Sequence, residues 1–179
     1  MFYAFGFERV GVLVGDLYFV DPAPHKGQEG PEHGVRLELR LLQRGELKGS
    51  IYSAQPIEAG QPIWRADFLE SVQGRPGSFD RTHHHPRFRG WEPGGRTFEE
   101  DLSADPILWV GERLGDIDAI LAGADVGDLE VSKDERAEIA AAIPEIQGAL
   151  RRLLDRVHAG ELAQAPVGGP VAAARTGWL

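Results

Sequence analysis

Between Val35 and Gln43 the sequence alternates with a period of two. Val35, Leu37, Leu39 and Leu41 are apolar, and Arg36, Glu38 and Arg40 stand between them. Such alternation fits a strand with one face buried and the other in water. Arg44-Gly45 turns the chain into a run from Glu46 to Gln55, and Glu58 to Gln61, containing Gly60, turns it again into Pro62 to Val72. Connections this short cannot make a parallel crossover, so the spacing predicts an antiparallel meander. In the last of these runs Trp64 and Phe68 share the side expected to face the core, which sends Arg65 and Asp67 to the other side. Earlier in the chain, Arg9 to Val14 and Leu17 to Val20 flank Gly15-Asp16 as a predicted two-residue hairpin. Pro22 to Gly34, with His25 and His33, reads as a long loop.

The periodicity then changes. Asp105-Pro106 is a good N-cap and first-turn pair, and Ile107, Val110, Leu114, Ile117 and Leu121 recur at spacings of three and four. Ser132 with Glu135 reads as a capping box opening a second helix, whose stripe runs from Ile139 to Val157. Pro144 falls inside that stripe and is expected to kink or split it. The expectation is therefore one α+β domain over residues 1–160. It has an antiparallel sheet of five or six strands at about 8–88, helices at about 105–122 and 132–158, and a flexible tail at 161–179.

Composition narrows the chemistry. The 179 residues contain no cysteine, which removes thiolate catalysis, disulfides and cysteine-type zinc sites. No apolar run reaches the ~20 residues of a membrane span. The first fifteen residues are interrupted by Glu8 and Arg9, unlike a secretory leader, so a cytoplasmic location is the expectation. No phosphate-binding Gly-Lys-Ser/Thr loop, dinucleotide fingerprint, nucleophile elbow or His-Glu-x-x-His is present.

One stretch departs from the acidic background of net charge −9. From Arg75 to Arg96, His83, His84 and His85 stand side by side among five arginines and only two acids, Asp80 and Glu92. If the segment is extended, His83 and His85 project to one side and His84 to the other; Pro86 then makes it an edge strand or a strand end. Three readings follow. In the first, His83 and His85 act as acid and base on a phosphodiester, RNA above all. Arg65, Arg81 and Arg87 then hold phosphate and Trp91 offers a stacking face, with no cofactor needed. In the second, the His-x-His pair binds a divalent metal with Asp67 and Asp80 as the nearest carboxylates, His25 or His33 joining from the loop, and the ion supplies hydroxide for hydrolysis. In the third, the histidines are structural, and the protein engages a protein partner through its C-terminal helices. None of the three involves a membrane.

The run Ser-Phe-Asp-Arg-Thr-His-His-His-Pro-Arg-Phe at 78–88, then Gly90-Trp91-Glu92-Pro93 and Leu102-Ser103-Ala104-Asp105-Pro106, resembles a family of small uncharacterised actinobacterial proteins. The resemblance spans roughly Val35 to Ala124 and implies no particular activity. More loosely, a meander ending in a Pro/His cluster before a helix is similar to small toxins of bacterial toxin–antitoxin pairs, proposed to act on RNA. Those carry Pro-His-His, whereas here the order is His-His-His-Pro at His83 to Pro86, so only the three histidines correspond.

Overall fold

The computed structural model describes residues 1–124, 126–127, 129–167 and 174–179. Its centre is an antiparallel sheet. Strands β1 (Phe2–Gly6), β2 (Val10–Val20), β3 (Pro31–Arg44), β4 (Ile57–Ser71) and β5 (His83–His85) follow one another across it in chain order. A small ribbon pairs β6 (Phe88–Arg89) with β7 (Glu92–Pro93). The helices α1 (Glu100–Ala104), α2 (Pro106–Gly115), α3 (Ile117–Gly123) and α4 (Lys133–His158) follow, and β8 (Ala174–Gly177) completes the main sheet by pairing with β2. The molecule is thus α+β, with its helices in the C-terminal half.

Several local expectations are corrected. Gly15-Asp16 makes no turn, because β2 runs straight through it. Gly15 faces Phe2 on β1 and Arg36 on β3, and the hairpin closes instead at Phe7 to Arg9. Residues 46–55 form no strand, and β3 joins β4 by one long loop. There Gly45 N donates to Pro56 O at 2.8 Å, and Gly60 lies inside β4 beside an irregular register at Leu39 to Leu42. The first helical region is three short helices. Asp105 caps α2 by accepting from Leu108 N, and Asp116 caps α3 by accepting from Ala119 N, so each acid restarts the chain at a new angle. By contrast, α4 passes Pro144 as one helix of 26 residues. The tail is not wholly loose: residues 174–177 add a strand to β2 beside β1, and Leu179 is buried. The rest of that expectation, at 168–173, lies outside the described residues.

The core lies between the sheet and the helices. Val10, Val12 and Val14 of β2, Val35, Leu37 and Leu39 of β3, and Trp64, Ala66 and Phe68 of β4 all point to one side. There they meet Trp109, Val110 and Leu114 of α2 and Ile139, Ile146, Leu150, Leu153 and Val157 of α4. Each of the larger side chains contributes about 1.5–3 kcal/mol by leaving water. Trp64 stacks on Trp109 with ring centres 5.8 Å apart, fastening α2 to β4. Only half of the expected capping box forms. Ser132 accepts from Glu135 N, but the Glu135 carboxylate turns away to accept from Arg9 N at 2.6 Å and Val10 N at 3.1 Å. Gly34 is required where β3 meets β4, since a Cβ there would come within 2.0 Å of the Phe68 carbonyl oxygen.

The opposite face of the sheet is not wet, as the alternation in β3 predicts. Glu32, Arg36 and Glu38 of β3, and Arg65 and Asp67 of β4, are at most 9% exposed. Register explains how charge is tolerated there. Arg36 lies directly opposite Asp67, and Glu38 directly opposite Arg65, so each strand supplies the counter-charge of the other.

Candidate metal centre

Strand β5 is the edge on which the site is built. Its three residues pair with β4 so that His83 faces Asp67 and His85 faces Arg65. His83 and His85 therefore project to the charged side of the sheet and His84 to the helix side, as the sequence predicts. Pro86 ends the strand, and the chain then folds back over it. Thr97 makes a two-way backbone bridge to His84, with both hydrogen bonds at 2.9 Å, which places it antiparallel beside β5, on the side away from β4.

Three side chains converge on the charged side of this edge. His83 Nε2 and His85 Nε2 are 3.2 Å apart, and they lie 3.5 and 3.6 Å from Asp67 Oδ2. All three residues are buried. On their far sides the rings are fixed by backbone: His83 Nδ1 is 2.8 Å from the Arg81 carbonyl and His85 Nδ1 is 2.8 Å from the Gly94 carbonyl. A carbonyl can only accept, so both Nδ1 atoms carry hydrogen, and a ring in its neutral form then presents a bare lone pair at Nε2. Asp67 is oriented as firmly. Arg36 donates to it through two nitrogens, Nε to Oδ1 at 2.6 Å and Nη2 to Oδ2 at 3.0 Å.

Electrostatics keep this constellation in its ligand form. Burial is the largest influence on His83 and lowers its pKa to about 4; the nearby Asp67 charge and the Arg81 carbonyl oppose that only in part, and Arg96 and His85 reinforce it. Burial by itself raises Asp67, but the Arg36 charge and hydrogen bonds and the facing imidazoles outweigh it and hold the carboxyl well below its usual range. At neutral pH, then, a carboxylate oxygen and an imidazole lone pair point with the second ring at one spot. Metal–nitrogen and metal–oxygen bonds of ~2.0–2.2 Å put ligand atoms ~2.9–3.4 Å apart in octahedral or tetrahedral geometry. The observed spacings lie close to that range. The carbonyls behind the rings and the arginine behind the carboxylate are the outer partners that hold metal ligands in orientation.

The other residues singled out in the sequence fall elsewhere. Asp80 accepts from Ser71 N and Ser78 Oγ and belongs to a turn, not to the triad. His33 lies on the helix side of β3, opposite Glu70, and so points away from the site. Arg65 is committed to Glu38, with Nε to Oε1 at 2.8 Å, and lies over the Phe88 ring. Arg81 donates to the carbonyls of Gly27 and Glu29, pinning the loop ahead of β3. Arg87 is exposed, and Trp91, 60% exposed, lies over Arg40. His84 is a tie between β5 and α2. Its Nε2 is 3.0 Å from Glu99, which also accepts from Trp109 Nε1 and Arg113. Arg36, Gly94 and Phe98 join the site without any local signal in the sequence. The Phe98 ring lies tilted against His83 with centroids 5.5 Å apart, and Gly94 leaves room for the Arg87 carbonyl, which a Cβ would approach to 2.9 Å.

No family model matches this chain, and neither a curated protein nor a solved structure is similar to it. Among the described residues no helix is long and apolar enough to cross a membrane. The functional reading therefore rests on the chemistry of the triad.

Proposed function

We propose that Asp67, His83 and His85 bind one divalent transition-metal ion, and that the protein is a metal-dependent hydrolase. The observation that carries this is the inward convergence of three acceptors while every outward polar atom of the triad is already satisfied. Without a cation, the Nε2 atoms of His83 and His85, 3.2 Å apart, crowd against each other and against Asp67 Oδ2 at 3.5 and 3.6 Å, three electron-rich atoms that repel one another. A cation removes that repulsion. Three protein ligands leave at least one coordination position open, and an ion so held makes bound water acidic enough to ionise near neutral pH.

The same pair serves less well as acid and base on RNA. His83 is neutral at pH 7, its remaining hydrogen is given to a carbonyl, and Arg65 is already paired. The structural reading is favoured by the burial of the rings and by the backbone carbonyls that hold both Nδ1 atoms, features that a metal centre shares.

The test is cobalt(II) substitution. One equivalent of cobalt should give a visible ligand-field spectrum of a nitrogen/oxygen site. His83→Ala and His85→Ala should each abolish it while retaining the far-ultraviolet spectrum of the wild type. Metal-loaded protein should hydrolyse an activated ester or phosphodiester, and chelator should stop it. Absence of stoichiometric cobalt binding by folded wild type would sink the metal reading. Binding without hydrolysis of any such substrate would reduce the ion to a staple between β4 and β5.

A further inference from the structure

The two edges of the main sheet are finished differently. At one, β5 is three residues long, stops at Pro86 and has Thr97 bonded to its outer side at His84. At the other, β1 is open. Its ladder with β2 uses alternate residues: Phe7 N donates to Val10 O at 3.0 Å, and Asp16 N donates to Met1 O at 3.3 Å. Between those two bonds the register runs Phe2↔Gly15 to Gly6↔Gly11, so Tyr3 and Phe5 are the residues of β1 that bond to β2. The backbone groups of Phe2, Ala4 and Gly6 therefore point away from the sheet. Among the described residues nothing donates to them or accepts from them, and all three residues are exposed.

An open edge is a template for pairing, and proteins ordinarily protect one with lysine, proline, a bulge or a cover. Phe-Tyr-Ala-Phe-Gly carries no charge and no proline, and its register with β2 is unbroken. Beside it, on the charged side of the sheet, is a cleft of about 860 Å³ with Ala4, Gly6 and Gly11 in its floor. Phe2, 45% exposed, and Trp178, 71% exposed, form one wall and pack together with ring centres 5.5 Å apart.

We infer that β1 pairs antiparallel with β1 of a second copy of this chain, about a two-fold axis at Ala4. In that register Ala4 faces Ala4, and Phe2 of each copy faces Gly6 of the other. All the outward backbone groups are then used, in roughly six hydrogen bonds. The side chains suit the same register. Each Phe2, backed by Trp178, lies across from a glycine and covers the small floor of the other copy's cleft. On the helix side Tyr3 meets Phe5, an aromatic cross-strand pair. Arg152 of α4 lies over the Tyr3 ring, and Glu145, two turns earlier, is exposed on the same face of that helix. The two-fold turns Arg152 of each copy toward Glu145 of the other. A strand from another protein could use the hydrogen bonds, but an identical strand also sets aromatic against glycine, and cation against anion, at both ends. The pair buries both β1 edges, so association stops at two. The metal centres stay at the outer edges, and the inference does not depend on them.

Sedimentation velocity on the full chain over a concentration series tests this. Wild type is expected to dimerise with a Kd of about 10 μM or tighter. Ala4→Pro removes the outward N–H at the axis and spares the ladder to β2, in which the Ala4 backbone takes no part. It should weaken association at least about tenfold while keeping the far-ultraviolet spectrum of wild type. Ala4→Lys and Ala4→Glu set like charges against each other at the axis, and each should be monomeric at low salt. Mixed in equal amounts, the two should form a dimer. A wild type still monomeric at about 100 μM would overturn the inference and leave the edge to a strand from another protein. An undiminished dimer in folded Ala4→Pro, assembly beyond two copies, or no pairing of the mixed charge variants would overturn it as well. None of these results bears on cobalt binding.

Discussion

The two faces of one sheet are both buried, and they are buried by opposite means. On the helix side, valines, leucines and aromatics of β2, β3 and β4 meet the stripes of α2 and α4, and burial stabilises without demanding direction. On the other side Arg36–Asp67 and Glu38–Arg65 are cross-strand ion pairs with the triad alongside, and each group depends on the position of its partner. The apolar face tolerates substitution that preserves volume. The charged face tolerates none that leaves a single charge behind. That asymmetry explains how a strand edge can hold three acceptors at one spot, since such a set needs rigid counter-charges more than it needs a large core.

Truncation in the apolar face should give the largest loss. Phe68→Ala is expected to cost about 3–5 kcal/mol in urea unfolding, from lost burial and the cavity left behind. On the charged face, Arg36→Met leaves Asp67 buried and unpaired and should cost a comparable ~3–5 kcal/mol, whereas Arg36→Met/Asp67→Leu should recover most of it. A double variant as unstable as the single one would mean that the two faces do not differ in this way.

A smaller effect of opposite sign is expected at Glu32. Both of its carboxylate oxygens are buried without a hydrogen bond. Burial raises its pKa, opposed in part by Arg96 and Arg81. An acid whose folded pKa lies above its unfolded value costs stability once it ionises. Glu32→Gln should therefore raise the melting temperature at pH 7, with the gain vanishing as pH falls below the unfolded value of about 4.3. A loss of stability at pH 7 would mean that Arg96 and Arg81 more than compensate the charge. The smallest effect should come from Arg87→Ala, within about 0.5 kcal/mol by the same unfolding assay, because that arginine is exposed despite lying two residues from His85.

Much of this was legible in the residues. Alternation in β3 and β4 gave the orientation of Trp64, Phe68, Arg65 and Asp67, and the parity of the histidine run separated His83 and His85 from His84. What could not be read was register across long connections. Arg36 meets Asp67 only because β3 and β4 pair without a slip over Glu32 to Leu39, and nothing local announces that alignment. The same gap hid the burial of the charged face: a strand of alternating polarity looks half-wet until its neighbour is known to carry the complementary charges. Asp80 looked as good a ligand as Asp67 for a related reason, being nearer in sequence to the histidines while a turn claims both of its partners.

The bond from Glu135 to Arg9 and Val10 has a consequence for how the molecule is made. A helix near the end of the chain closes the first hairpin, across 125 residues or more. At about 5–20 residues per second, a ribosome needs roughly 6–25 s to supply that helix after the hairpin has been synthesised. During that interval the valines of β2 have no lid. The nascent sheet then exposes its apolar face until α4 has been made.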